Sequence, residues 1–188
     1  MKLKTILSTL ALAALVPLAA QSAPLTYNVN RTIGAGSVFG TITTDGTFGT
    51  LAGANITSWV LTIDDGDGNG SFVQTGGVNA NLLVVGAALS ADADSIDFNF
   101  ADSFAFALFQ SPNIGSGQNW WCVEGFSSGC AGAGQGETVN RFGVPAFQAY
   151  STPQAIATIG GGNEIPEPTS LALMGLALAG LAMARKRA

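Results

Sequence analysis

The sequence predicts an all-β protein, a single antiparallel β-sandwich or jelly-roll-like domain flanked by a signal peptide and a short C-terminal transmembrane helix. Three observations predict it. Short runs of alternating apolar and polar residues recur through residues 23–159, punctuated by Gly, Asn, Asp and Ser, the pattern of strands and tight turns. No stretch of that region sustains a helical apolar period between capping residues. An uncharged, mostly apolar segment stands near each end of the chain with basic residues on its outer side, the pattern of targeting segments rather than of a core.

Taken in order, Leu25–Asn30 (LTYNVN) sets Leu25, Tyr27 and Val29 against polar neighbours. Gly36–Leu51 contains Asp45-Gly46, a two-residue hairpin signal because both residue types tolerate positive φ. Ile56–Ile63 (ITSWVLTI) puts Trp59, Leu61 and Ile63 on one face. Asn81–Leu89 (NLLVVGAAL) is a continuous apolar run, expected of a central strand buried on both faces. Ser95–Ala101 turns Ile96, Phe98 and Phe100 inward, and Ser103–Gln110 is expected to do the same with Phe104, Phe106 and Leu108. Asn119–Val123, Phe147–Tyr150 and Ala155–Ile159 are further candidate strands. About eight to ten short strands in a chain of this length predict a sandwich with the Phe and Trp rows as its core.

Residues 1–22 read as a signal peptide. Lys2 and Lys4 precede the apolar stretch Ile6–Ala20, and small residues follow. Cleavage fits after Ser22 or after Ala20. The absence of Cys there excludes a lipoprotein anchor. Residues 23–159 form the domain and 160–164 a Gly-rich linker. Residues 165–188 form the tail.

Residues 23–164 carry eleven acidic and two basic side chains, Arg31 and Arg141, a net charge of −9. Such a surface repels phosphate backbones, so no nucleic-acid partner is expected. The chain has no His, the residue that general acid–base work uses most often. Cys122 and Cys130 are the two cysteines. In an exported chain they read as one disulfide, with free thiols or a redox pair as alternatives.

The tail is IPEPTSLALMGLALAGLAMARKRA, Ile165–Ala188. Its uncharged run, Thr169–Ala184, is 16 residues. As a helix that run rises ~24 Å, against a hydrocarbon core of ~30 Å, so it spans only marginally. Arg185, Lys186 and Arg187 hold its far end in the cytoplasm. Pro166-Glu167-Pro168 is a stiff, extended tripeptide just outside the apolar run.

At these residues the chain resembles bacterial PEP-CTERM proteins. Pro166, Glu167 and Pro168 match the family motif, Leu171–Met183 match its glycine-containing apolar helix, and Arg185–Arg187 match its basic end. The resemblance implies Sec export with signal-peptidase cleavage, transient anchoring in the inner membrane and processing by an exosortase. It also implies delivery to the cell surface or extracellular polysaccharide matrix of a Gram-negative, biofilm-forming bacterium. GTITTDGTFGTLAGANITSWVLTI, ALFQ and Trp121-Cys122 are similar to recurring segments of one group of such substrates. That group carries no known activity.

Four short patterns compete for a role. Asp64–Gly70 (DDGDGNG) contains Asp65, Asp67, Asn69 and Gly70, the start of a calcium loop, but Gly76 stands where the bidentate Glu belongs. A weak calcium site and a solvated hairpin loop both fit. Asp92, Asp94 and Asp97 could complete a carboxylate cluster with Asp65 or simply form a charged turn. Gly125–Gly129 (GFSSG) matches the nucleophile elbow, yet has no His partner. Glu124 and Glu137 are the candidate pair for a glycosidase-type site, since two carboxylates suffice for that chemistry.

The sequence therefore predicts an exported, non-enzymatic surface or matrix protein with no cofactor and no metal. Its expected partners are the Sec translocon, signal peptidase, exosortase, and extracellular polysaccharide or the cell surface. The alternative is an extracellular carbohydrate-binding module, calcium-assisted or not, with Trp120 or Trp121 stacking on sugar rings.

Overall fold

Leu25–Ile33 (β1) buries every second residue, Leu25, Tyr27, Val29 and Ile33, and exposes Asn28, Asn30 and Thr32. That period-2 pattern continues through most of the chain and gives an all-β, antiparallel fold. A computed structural model describes residues 23–125, Cys130 and 134–160. The signal peptide, residues 161–164 of the linker and the whole tail lie outside the described residues, as do Phe126–Gly129 of the elbow-like pattern. Among the described residues no helix is long and apolar enough to cross a membrane.

The strands that follow are β2 (Gly36–Thr44), β3 (Gly49–Thr50), β4 (Ile56–Asp64), β5 (Phe72–Thr75), β6 (Asn81–Val85), β7 (Leu89–Ala91) and β8 (Ser95–Asn99). They continue with β9 (Phe106–Ser111), β10 (Asn119–Glu124), β11 (Gly136–Arg141), β12 (Ala146–Ala149) and β13 (Pro153–Thr158). Thirteen strands among the described residues exceed the eight to ten expected. The polar β11 (GETVNR) gives no alternating apolar signal, and β3 has only two residues.

Eight strands form one sheet in the order β3-β7-β8-β13-β1-β2-β4-β5, and five form a second in the order β12-β11-β10-β9-β6. Inward side chains of both sheets join in one core. Trp59 of β4 meets Phe109 of β9 edge-on at 5.6 Å, and Phe109 stacks on Trp121 of β10 at 5.1 Å. Trp121, Phe98, Phe100 and Tyr27 are fully buried. Each such burial stabilises by roughly 1.5–3 kcal/mol. Trp59 needs its neighbour to be glycine, because a Cβ on Gly76 would fall inside the indole.

Three strand expectations change. Asn81–Val85 is an edge strand of the five-stranded sheet, not a central one. Leu83 and Val85 face outward half-exposed, so the run is apolar without being sandwiched. Gly86, at φ 80°, ends it where it meets Ala105. In Ser103–Gln110 the phase is reversed: Ala105, Ala107 and Phe109 point to the core, while Phe104 is exposed. Apolar residues occupy both alternating sets there, and stacking of Phe109 on Trp121 decides the phase. Asp45-Gly46 starts a longer loop, not a tight hairpin, since β2 pairs with β4 and register resumes at Thr44↔Ile56. Asn55 holds that loop closed, accepting from the Asp45 N–H and donating to its carboxylate at 3.0 Å.

Candidate functional site

The domain has two cations, and each joins one sheet to the other. Arg31 sits on β1 of the eight-stranded sheet with its side chain turned inward. Glu137 sits on β11 of the five-stranded sheet, fully buried. The guanidinium grips the carboxylate with Nη2 at 2.5 Å and Nε at 2.9 Å. Its Nη1 donates to the Ala155 carbonyl at 2.9 Å and Nη2 to the Tyr150 hydroxyl at 3.1 Å. The Tyr150 ring also lies under the guanidinium, 5.5 Å from its carbon. Burial pushes the Glu137 carboxyl above its usual range, and the bonds from Arg31 pull against that shift.

Arg141, at the other end of β11, closes the loop Asp65–Gly70. Its backbone N–H donates to Asp65 Oδ2 at 2.6 Å. Its Nη1 donates to the carbonyls of Asn69, at 2.8 Å, and of Gly70. Its guanidinium rests over the Phe72 ring. The Asp67 carboxylate accepts from the Asn69 N–H at 2.8 Å and from the Asn69 amide. Asp65 is buried, and burial raises its pKa, with the neighbouring Asp67 acting in the same direction. The N–H of Asn69 holds Asp67 below the usual value. The Asn69 and Gly70 carbonyls therefore face a guanidinium carried by the chain itself, which sets a positive charge against the loop that a calcium ion would have to enter.

Asp92, Asp94 and Asp97 do not gather around Asp65. Asp92 closes the β7–β8 turn by accepting from the N–H groups of Asp94 and Ser95 at 2.8 and 2.7 Å. The Tyr27 hydroxyl donates to the Asp92 carbonyl at 2.7 Å, and the Ile159 N–H donates to that of Asp94. Among the described residues, Cys122, Glu124 and Cys130 are the one group of three or more such side chains that converges.

Cys122 and Cys130 are joined in a disulfide with Cα atoms 6.2 Å apart. Both sulfurs are used in that bond, so the group offers no thiolate to a metal. Glu124 Oε2 accepts the Cys130 N–H at 3.1 Å. In the β10–β11 register Val123 stands opposite Glu137 and Glu124 opposite Gly136. Neighbouring residues of a strand point to opposite faces. Glu137 therefore faces the core and Glu124 the outer side of the same sheet, so they cannot flank one glycosidic bond. Trp121 is fully buried and is no sugar platform, whereas Trp120 is half-buried on the outer face. A depression of about 380 Å³ is lined by Gly134, Gln135, Phe147, Ala149, Tyr150 and Ser151.

Sequence reasoning missed β11 as a strand, and with it the role of Arg31 and Arg141 as cross-sheet clamps. The available signal was arithmetic. Two arginines among eleven carboxylates in an exported domain are each more valuable as an internal partner than as surface charge.

Pro166, Glu167, Pro168, Arg185, Lys186 and Arg187 lie outside the described residues. The PEP-CTERM protein-sorting motif matches residues 164–187. This chain carries a PEP-CTERM sorting signal. The motif indicates an exported protein, anchored in the membrane for sorting and targeted to an exosortase. No curated protein and no solved structure matches the chain.

Proposed function

We propose that this PEP-CTERM protein is a non-enzymatic β-sandwich module of the cell surface or extracellular polysaccharide matrix. Residues 23–159 form the module, residues 1–22 are removed by signal peptidase after Sec export, and residues 165–188 are removed after sorting. The observation that carries the reading is the sorting motif at residues 164–187. Three features of the domain support it. Both cations are spent inside the fold as sheet-to-sheet clamps. The candidate carboxylate pair is split across two faces of one sheet. The disulfide suits an oxidising compartment.

Fractionation tests this reading. Cells and matrix of a PEP-CTERM-sorting bacterium are separated and probed for the chain and for a variant lacking residues 165–188. The full chain is expected in the matrix or surface fraction, and the truncated form in the medium without retention. Equal partitioning of both would defeat the proposal.

A carbohydrate-binding reading is favoured by one observation, the depression between Phe147 and Tyr150. Two aromatic residues, the Gln135 amide and the Ser151 hydroxyl are the chemistry that sugars use. Retention on purified exopolysaccharide that is lost in Tyr150→Ala would support it. Absence of retention leaves the structural role.

A further inference from the structure

Asn69 is the one asparagine of the chain that is followed by glycine. It stands in the loop between β4 and β5, and both Asn69 and Gly70 are exposed. Gly70 has φ 75°, a conformation that a residue with a side chain rarely adopts. The space beside it is open, since a Cβ there would meet nothing nearer than Arg141 Nη1 at 3.9 Å. With no Cβ at Gly70, the approach of its backbone nitrogen to the Asn69 side chain is unhindered.

Three contacts bear on the chemistry of this pair. The N–H groups of Gly66, Asp67 and Asn69 are taken by aspartate oxygens, whereas the Gly70 N–H donates to no group among the described residues. Arg141 Nη1 donates to the Asn69 carbonyl at 2.8 Å. The Asn69 side-chain amide donates to the Asp67 carboxylate and is held within the same turn. The first contact leaves the Gly70 nitrogen available as a nucleophile. The second sets a cation on the oxygen that shares the negative charge when that nitrogen gives up its proton, as a preorganised donor stabilises charge developing in a transition state. Asn79 and Asn113 are exposed too, but Ala80 and Ile114 follow them. Their carbonyls accept from the Ser111 hydroxyl and from the N–H groups of Ser116 and Gly117, with no cation involved.

We propose that Asn69 is a self-modification site, converted without an enzyme to aspartate and isoaspartate in the exported protein. The Gly70 nitrogen attacks Asn69 Cγ, so that the N–Cγ bond forms and the Cγ–Nδ2 bond breaks. The proton lost by the Gly70 nitrogen leaves with Nδ2 as ammonia, and a cyclic imide remains. Water then adds across either C–N bond of the imide and restores the chain with a carboxylate at position 69. No electrons are exchanged. Arg141 acts through the Asn69 carbonyl and is a positioning residue. The product adds one negative charge to a domain of net −9. It also replaces the amide that bonds Asp67 with a second carboxylate, so like charges meet in one turn. The inference does not depend on what the module binds.

Timed incubation of the mature protein recovered from cells, at mildly acidic and mildly alkaline pH, followed by peptide mass mapping, tests the site. The peptide with Asn69 is expected to gain the mass of an amide-to-acid exchange, faster at alkaline pH because the Gly70 nitrogen must lose its proton. The peptides with Asn79 and Asn113 are expected to stay unchanged. Gly70→Ala is expected to slow the conversion about tenfold. Arg141→Met is expected to slow it severalfold, and Arg141→Lys, which keeps a cation, to stay near the parent rate. An Asn69 that remains an amide, or that converts no faster than Asn79 and Asn113, overturns the proposal. Conversion in Arg141→Met at or above the parent rate overturns the part assigned to Arg141.

Discussion

Arg31→Met removes the charge that faces Glu137 while keeping most of the side-chain volume. Glu137 is fully buried, so its carboxylate would be left in the core once the five guanidinium hydrogen bonds to Glu137, Ala155 and Tyr150 are gone. Removing one partner of a buried pair destabilises by about 3–5 kcal/mol, mostly through the charge left behind. For a domain of about 140 residues, 1 kcal/mol moves the melting temperature by roughly 3–5 °C. A fall of ~10–20 °C is therefore expected for Arg31→Met, measured by circular dichroism at pH 7. Arg31→Met combined with Glu137→Leu leaves no orphan charge and is expected to recover most of that loss. A single variant that melts within about 2 °C of the parent would show that solvent reaches Glu137, and the clamp would have to be abandoned as a stabilising element.

Four further outcomes follow from named contacts. Cys122→Ala with Cys130→Ala opens a short loop and is expected to lower stability by about 2–3 kcal/mol on the chain-entropy model, read by denaturant melts with and without reductant on the parent. Calcium at about 1 mM is expected to leave the parent melting temperature unchanged, because Arg141 already faces the Asn69 and Gly70 carbonyls; a clear upward shift would assign the loop to the metal. Arg141→Met exposes those carbonyls, and a calcium-dependent rise in this variant alone is the expected contrast. The pH profile has two limbs. Glu137 and Asp65 are raised above 4.5 and 3.8 by burial, so their contribution is full below those values and fades as pH rises through the folded ones. Asp45, Asp67 and Asp92 are lowered below 3.8, by the Asn55 amide and by the N–H groups of Asn69 and Asp94 respectively. Their contribution is present above that value and is lost as pH falls through the lowered ones. Maximum stability at about pH 4–5 is expected, with a flatter neutral limb in Glu137→Gln; a melting temperature that climbs steadily to pH 7 would contradict the signs.

Much of the fold is readable where one face of a strand is apolar and the other polar. Leu25–Ile33, Ile56–Asp64 and Ser95–Asn99 show it, and each lies where expected with Tyr27, Trp59 and Phe98 inward. The pattern fails where both alternating sets are apolar. In Ser103–Gln110 only the tertiary stack of Phe109 on Trp121 fixes the phase. It fails again at β11, whose Glu137 and Arg141 are core-facing but charged. Their apolar surroundings come from other strands and cannot be read from the local sequence. Edge position is likewise invisible locally, because an apolar run such as β6 reads the same whether one of its sides is paired or both. The sorting signal is the opposite case. Pro166-Glu167-Pro168, the apolar run and Arg185–Arg187 are contiguous, so order along the chain carries the whole message.

Sorting with removal of the tail is tested most directly by the intact mass of the protein recovered from the cell surface or matrix. A product that begins near Ala23 and ends near Pro166 is expected. A product that still carries Thr169–Ala188 would contradict it.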